Sequence, residues 1–165
     1  MFRRPALPLS SPVSLLATWF GSGLVRKAPG TFGSLAALPF AAVILWTAGN
    51  WALFAAALAA YGIGVLVSGI YARAGGDHDP GAVVIDEVAG QWLALAPLCF
   101  SIESFLLGFV LFRFFDIVKV WPASLAERRL AGGLGIMTDD MVAGTYAGGL
   151  AYLLLWLFGT APCFP

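Results

Sequence analysis

The sequence predicts an all-α integral membrane protein: four to five hydrophobic helices, some short or re-entrant, carrying polar loops on one face. Three observations predict it. Of 165 residues, 60% are hydrophobic and 11% charged, whereas a soluble domain carries about 25% charged residues. Uncharged runs recur at lengths that cross a bilayer. The few charged residues fall, once those runs are folded back and forth, almost entirely at one end.

The chain reads as one membrane-embedded domain over 1–165, with an interfacial N-terminal segment over 1–25 and a helical bundle over 26–160. The opening MFRRPALPLSSPVSLLATWF has the Arg3–Arg4 pair of a signal peptide, but Pro5, Pro8 and Pro12 break the apolar stretch such a peptide needs. It is expected to be retained, with Leu15, Leu16, Trp19 and Phe20 on one face of a short interfacial helix. No charge occurs from Ala28 to Ala72, room for two crossings at about 20 residues each. Ala48-Gly49-Asn50 offers the turn between them. Val88 to Ile102 is uncharged, Glu103 interrupts, and an apolar run continues from Ser104 to Phe112; Met141 to Pro165 carries no charge. The expected segments are therefore 33–48, 51–71, 87–101, 104–118 and 140–159, with Pro97 a possible kink in the third. A 15-residue helix rises only about 22 Å, so the short segments thin the bilayer locally, or the first is re-entrant.

If the first four segments form two hairpins, Arg26 and Lys27, Arg73 to Glu87, and Arg113 to Asp140 share one side, and eight of the nine acids collect there; Glu103 falls opposite. The positive-inside rule makes that side cytoplasmic. Orientation explains lysines and arginines, not carboxylates. A net charge of zero without a basic run gives nucleic acid no footprint. Cys99 and Cys163, far apart in sequence, suggest neither a disulfide framework nor a metal motif.

Four clusters converge on the cytoplasmic face. In RKAPGTFGS, Pro29 and Gly30 lead into a helix, Thr31 is placed to cap it, and Lys27 adds charge to a helix start that favours anions. In GDHDPGAVVIDEVAG, Asp77-His78-Asp79 lies in a loop while Asp86 and Glu87 open the third segment. One acid there suits the helix dipole, and two exceed what it needs. The Asp77-x-Asp79 pair resembles a phosphatase nucleophile loop but follows a helix rather than a strand, which excludes the match. In FRFFDIVKVWP, Arg113, Asp116 and Lys119 share one helical face, and ionisable groups in an apolar segment default to function. In GIMTDDMVAG, after the glycines 132, 133 and 135 and the charged loop of Glu127, Arg128 and Arg129, Thr138 is the expected N-cap of the last helix, leaving Asp139 and Asp140 for other work.

The carboxylates Asp79, Asp86, Glu87, Asp116 and Asp140 with the cations Lys27, Arg113, Lys119 and Arg128 are hard oxygen ligands beside phosphate-pairing groups. That set suits Mg²⁺ or Mn²⁺ and a phosphate, and its headgroup-level position points to a phospholipid. A histidine-dependent lipid phosphatase needs two histidines, and the chain has His78 alone. The DG-x-x-AR pattern of CDP-alcohol phosphotransferases is absent. A transporter would spread its charges through the membrane depth.

The ordered motifs PGTFGSLAALP, HD…DE-x-x-G-x-W, FR-x-x-D-x-x-K-x-WP and GG-x-GIM-x-DD-x-VAG resemble the phosphatidylglycerophosphatase A family, over Gly21 to Leu150. One departure is Val120, where the family commonly has proline. The resemblance implies a bacterial inner-membrane enzyme that removes the terminal phosphate of phosphatidylglycerophosphate with Mg²⁺. It places the family's acids on Asp79, Asp86, Glu87, Asp116, Asp139 and Asp140 and its cations on Arg113 and Lys119. Asp86, Glu87, Asp116 and Asp140, with Asp139 as dipole partner or further ligand, are then expected to hold the metal. Arg113, Lys119, Lys27, Thr31 and Arg128 would meet the substrate, and Asp79 or His78 would orient the attacking water. The alternatives are a small membrane transporter or another lipid-phosphate phosphatase.

Overall fold

The computed structural model describes residues 3–76, 80–118, 121 and 132–158. Among them lie helices α1 (Pro12–Ala17), α2 (Pro29–Gly75), α3 (Ile85–Leu95), α4 (Ile102–Val118) and α5 (Gly133–Leu157), with a 3₁₀ turn at Ser22–Leu24.

Helix α2 is two helices in one. Gly33 packs against Val84 and Gly64 packs near Ile85, although an unbroken helix would hold residues 31 positions apart about 46 Å from each other. The chain reverses at Gly49, whose φ of 78° and ψ of −175° are non-helical and suit glycine. The arms 29–48 and 50–75 therefore run antiparallel, with the turn where the sequence places it. The first arm starts four residues before the expected 33, because Pro29 sits at the helix start, where its missing N–H costs nothing. The N-cap position is Ala28, at φ 50°, so Thr31 is not the cap.

The second hairpin is α3 and α4. Helix α3 ends at Leu95, short of the expected 101, and Pro97 follows that end instead of kinking a longer helix. The Asn50 amide at the α2 reversal donates to the carbonyls of Ala96 and Leu98, both at 2.8 Å. Ser101 accepts a hydrogen bond from the Ser104 N–H at the start of α4. Helix α3 is the axis of the molecule: Val88, Ala89, Gln91, Ala94 and Leu95 are fully buried among α2, α4 and α5.

Helix α5 begins at Gly133, seven residues before the expected 140. Gly132, at φ 67° and ψ −145°, is the non-helical residue that precedes it, and a Cβ at Gly133 would overlap the Val65 carbonyl. Thr138 therefore lies inside the helix, donating to the Leu134 carbonyl at 2.6 Å and pairing with the Tyr61 hydroxyl at 3.2 Å, and it caps nothing. Small residues also set the α3–α5 crossing, where Gly144 lies on the Gly90 backbone and Gly148 on Ala94. Close backbone contact of this kind holds helices together where lipid supplies no hydrophobic drive.

The N-terminal segment packs onto the bundle. Ala6 donates to the Tyr71 hydroxyl, Val84 donates to the Ala17 carbonyl, and the Trp19 ring meets Phe40 and Trp92 edge-on. Its helix stops at Ala17, so Trp19 and Phe20, both at positive φ, are not on a face with Leu15 and Leu16.

Helices α2 and α5 are long and apolar enough to cross a membrane by length and composition. Trp46, Leu66, Ile102, Trp156 and Phe158 are each at least 60% exposed, far more apolar surface than a water-facing protein presents. Cys99, in the α3–α4 turn, is disulfide-bonded, contrary to the expectation from spacing. Sequence separation says nothing of distance once the chain folds back on itself. The chain's other cysteine, Cys163, lies outside the described residues.

Candidate active site

At one end of the bundle the start of α3, the second turn of α5 and the last turns of α4 meet. Asp86 and Glu87 come from the first turn of α3, with the Glu87 N–H donating to Asp86 Oδ1 at 3.1 Å. Asp140 descends from α5 and is 3% exposed. One carboxylate oxygen from each of these three lies within 4.8 Å of the others. Two unit charges at 4.8 Å repel by about 3 kcal/mol or more at an effective dielectric near 20, so the three cannot all stay ionised without a proton or a cation between them.

Mg²⁺ binds oxygen at about 2.1 Å, which sets opposite ligands about 4.2 Å apart. The trio comes within side-chain adjustment of that size. Glu87 Oε2 is buried with no hydrogen-bond partner among the described residues, an oxygen with lone pairs to offer. The donor set therefore fits a hard divalent ion.

Arg113 supplies the neighbouring positive charge. Its Nη1 lies 2.8 Å from Asp116 Oδ2 and donates to Ser34 Oγ at 3.3 Å, while its buried Nε has no partner among the described residues. Asp116 fixes the guanidinium on one side and interacts with Asp140 on the other, so it links cation to carboxylates. Asp139 is near enough to Asp86 to act on it electrostatically but is not one of the three clustered acids.

The backbone of the first cluster, rather than its side chains, completes the site. Gly30 is packed so tightly that a Cβ there would overlap Glu87 Oε1 and come within 3.1 Å of Arg113 Nη1. Lys27 is exposed at the entry of α2, and Thr31 is half-buried in its first turn. His78, Asp79, Lys119 and Arg128 lie outside the described residues.

Two further polar residues belong here. Ser34, fully buried in a helix of small residues, accepts from Arg113. Gln91 is fully buried, four residues and thus one turn below Glu87, with both amide atoms unpartnered among the described residues. A polar residue at that helical spacing from an acid was a readable signal.

Comparison with known proteins decides the lineage. The family model for phosphatidylglycerophosphatase A matches residues 15–155. The chain belongs to the phosphatidylglycerophosphatase A family. It is 41% identical to the phosphatidylglycerophosphatase A of Escherichia coli K12 over 150 residues, covering 90% of this chain and 86% of that one. Identity to the Haemophilus influenzae phosphatidylglycerophosphatase A is 37% over 142 residues, 86% and 87% of the two chains. A Bacteroides thetaiotaomicron protein named "Putative phosphatidylinositol-3-phosphatase" is 35% identical over 158 residues, 88% of this chain and 94% of that one. No solved structure matches. Membership makes the protein an enzyme, a phosphatase of lipid phosphomonoesters.

For a phosphatidylglycerophosphatase A the Gly30 contact carries a direct expectation. Gly30→Ala should lower phosphate release from phosphatidylglycerophosphate by about 10²-fold, the scale of effect when reacting groups shift by 1 Å, with the helical circular dichroism unchanged. Activity equal to the unaltered protein would show that the space between Glu87 and Arg113 is not used.

Proposed function

We propose that the protein hydrolyses the terminal phosphate of phosphatidylglycerophosphate to give phosphatidylglycerol and phosphate, with Mg²⁺ held by Asp86, Glu87 and Asp140. The carrying observation is the cluster of three carboxylate oxygens within 4.8 Å beside the Arg113 guanidinium. When bound, the ion polarises a phosphoryl oxygen as a Lewis acid.

The chain's own residues do the rest. Arg113 binds the phosphate oxygens through its unpartnered Nε and the outer edge of its fork, while Asp116 and Ser34 hold that fork at a fixed angle. A guanidinium held this way stabilises charge as it builds on the departing phosphate. Asp139 serves as a further ligand beside Asp86. Lys27 and Thr31 meet the headgroup at the α2 entry, Lys119 and Arg128 add positive charge, and His78 or Asp79 orients the attacking water.

The protein acts in the bacterial inner membrane with the site facing the cytoplasm. Exposed tryptophans and phenylalanines around the bundle support embedding. The Cys99 disulfide, in the turn at the end remote from the carboxylates, supports the orientation, because disulfides persist in the periplasm and not in the cytoplasm. A second reading, action on another lipid phosphate, is favoured by the name of the Bacteroides relative.

The test is phosphate release by purified protein in detergent from phosphatidylglycerophosphate and from phosphatidylinositol 3-phosphate. Release from the first is expected to stop in EDTA and return with Mg²⁺. Full activity in EDTA would overturn the metal assignment, and preference for the inositol lipid would replace the substrate.

A further inference from the structure

Between the first arm of α2 and helix α4 runs a groove of about 530 Å³, walled by Leu35, Leu38 and Ala42 on one side and by Ile102, Phe105 and Phe109 on the other. We propose that this groove holds one acyl chain of the lipid substrate and so aligns the headgroup with the carboxylate site. The inference rests on the phosphatase reading above and adds to it where the hydrocarbon goes.

The groove is continuous with the site. Leu35 follows Ser34, whose hydroxyl accepts the Arg113 hydrogen bond, and Phe109 lies one helical turn before Arg113. A phosphate held by Arg113 therefore places the attached glycerol over the groove's mouth. From Arg113 to Ile102, at the far end, α4 descends eleven residues, about 16 Å, close to one leaflet of a hydrocarbon core about 30 Å thick. The lining is apolar except for Ser101 at that far end, whose hydroxyl is already engaged with Ser104. Nothing along the wall would reject a methylene chain.

An acyl chain gains little hydrophobic free energy in leaving bilayer for groove, because lipid tails are as apolar as leucine. The groove contributes dispersion contacts with a shaped wall and restricts the chain's orientation, which positions the reacting phosphate. The expected effect of blocking it is accordingly moderate.

The experiment compares kcat/KM for dipalmitoyl phosphatidylglycerophosphate and for its deacylated headgroup, glycerophosphoglycerophosphate, in detergent. Ala42→Trp fills the groove from α2, and Leu106→Trp fills it from α4. Val43→Trp, at an exposed neighbour that does not line it, is the control. Both plugging variants should lower the ratio of diacyl to headgroup kcat/KM by about fivefold or more, a change of roughly 1 kcal/mol, and the control should leave it unchanged. An unchanged ratio in the plugging variants, or equal losses on both substrates, would overturn the groove while leaving the phosphatase reading in place. No phosphate release from either substrate by the unaltered protein would overturn that reading and the groove's role with it.

Discussion

Asp140→Asn is expected to abolish phosphate release from phosphatidylglycerophosphate, by at least about 10²–10³-fold, the range seen when one preorganised electrostatic contact is removed. Asp140 is the most buried of the three clustered acids, and asparagine matches its shape. Packing on α3 should survive while the anionic oxygen is lost. The stability consequence has the opposite sign: one fewer negative charge relieves repulsion at Asp86, Glu87 and Asp116, so the variant should melt in EDTA at or above the temperature of the unaltered protein. Mg²⁺ should then separate the two. An ion that binds only the folded state adds about 2.7 kcal/mol at one hundred times its dissociation constant, raising the melting temperature of the unaltered protein and leaving that of Asp140→Asn nearly fixed. Thermal melts with and without Mg²⁺ read this independently of turnover. Equal Mg²⁺ stabilisation of both proteins would remove Asp140 from the metal site.

Gly144→Ala should cost almost as much from outside the site. A Cβ at Gly144 would strike the Gly90 carbonyl oxygen and lie 3.0 Å from the Gly90 carbonyl carbon and Cα. These atoms are helix backbone and cannot rotate away, so α3 and α5 must part. Overpacking of this kind costs typically 1–3 kcal/mol. Asp140 sits one turn above Gly144, and Asp86 and Glu87 one turn above Gly90, so the displacement feeds directly into the carboxylate spacing. Turnover should fall by about 10²-fold together with a lower melting temperature. Gly149→Ala, where a Cβ meets no neighbouring atom within 4 Å, is the matched control. A Gly144→Ala protein as active as this control would show that the crossing tolerates expansion.

Much of the architecture was legible in the sequence because charge is so costly in hydrocarbon that its absence marks the helices. The gathering of Asp86, Glu87, Asp116 and Asp140 at one end followed from that, and the turn at Gly49 from the Ala48-Gly49-Asn50 break in a run long enough for two crossings. Helix starts were not legible. Thr31 and Thr138 look like caps by residue type, yet Pro29 starts one helix and Gly132, at positive φ, precedes the other. Pro29 is a local signal, whereas the approach of Gly133 to Val65 is tertiary, which a single sequence does not show. For the same reason Gly30 read as part of a helix entry, when its lack of a side chain makes room for Glu87 and Arg113. Ser34 does not stand out in a small-residue helix until its neighbours are known, whereas Gln91 carries a legible signal in its one-turn spacing from Glu87.

The Asn50 amide, with its paired bonds to the carbonyls of Ala96 and Leu98, has a mechanical consequence. It rivets the first hairpin to the second at the end remote from the carboxylates, and it satisfies two carbonyls that lie beyond the last residue of α3. The bundle is therefore clamped at its base. At the opposite rim the bond between the hairpins is the longer one from Arg113 to Ser34, at 3.3 Å, so the pair is held more loosely at its tips than at its base.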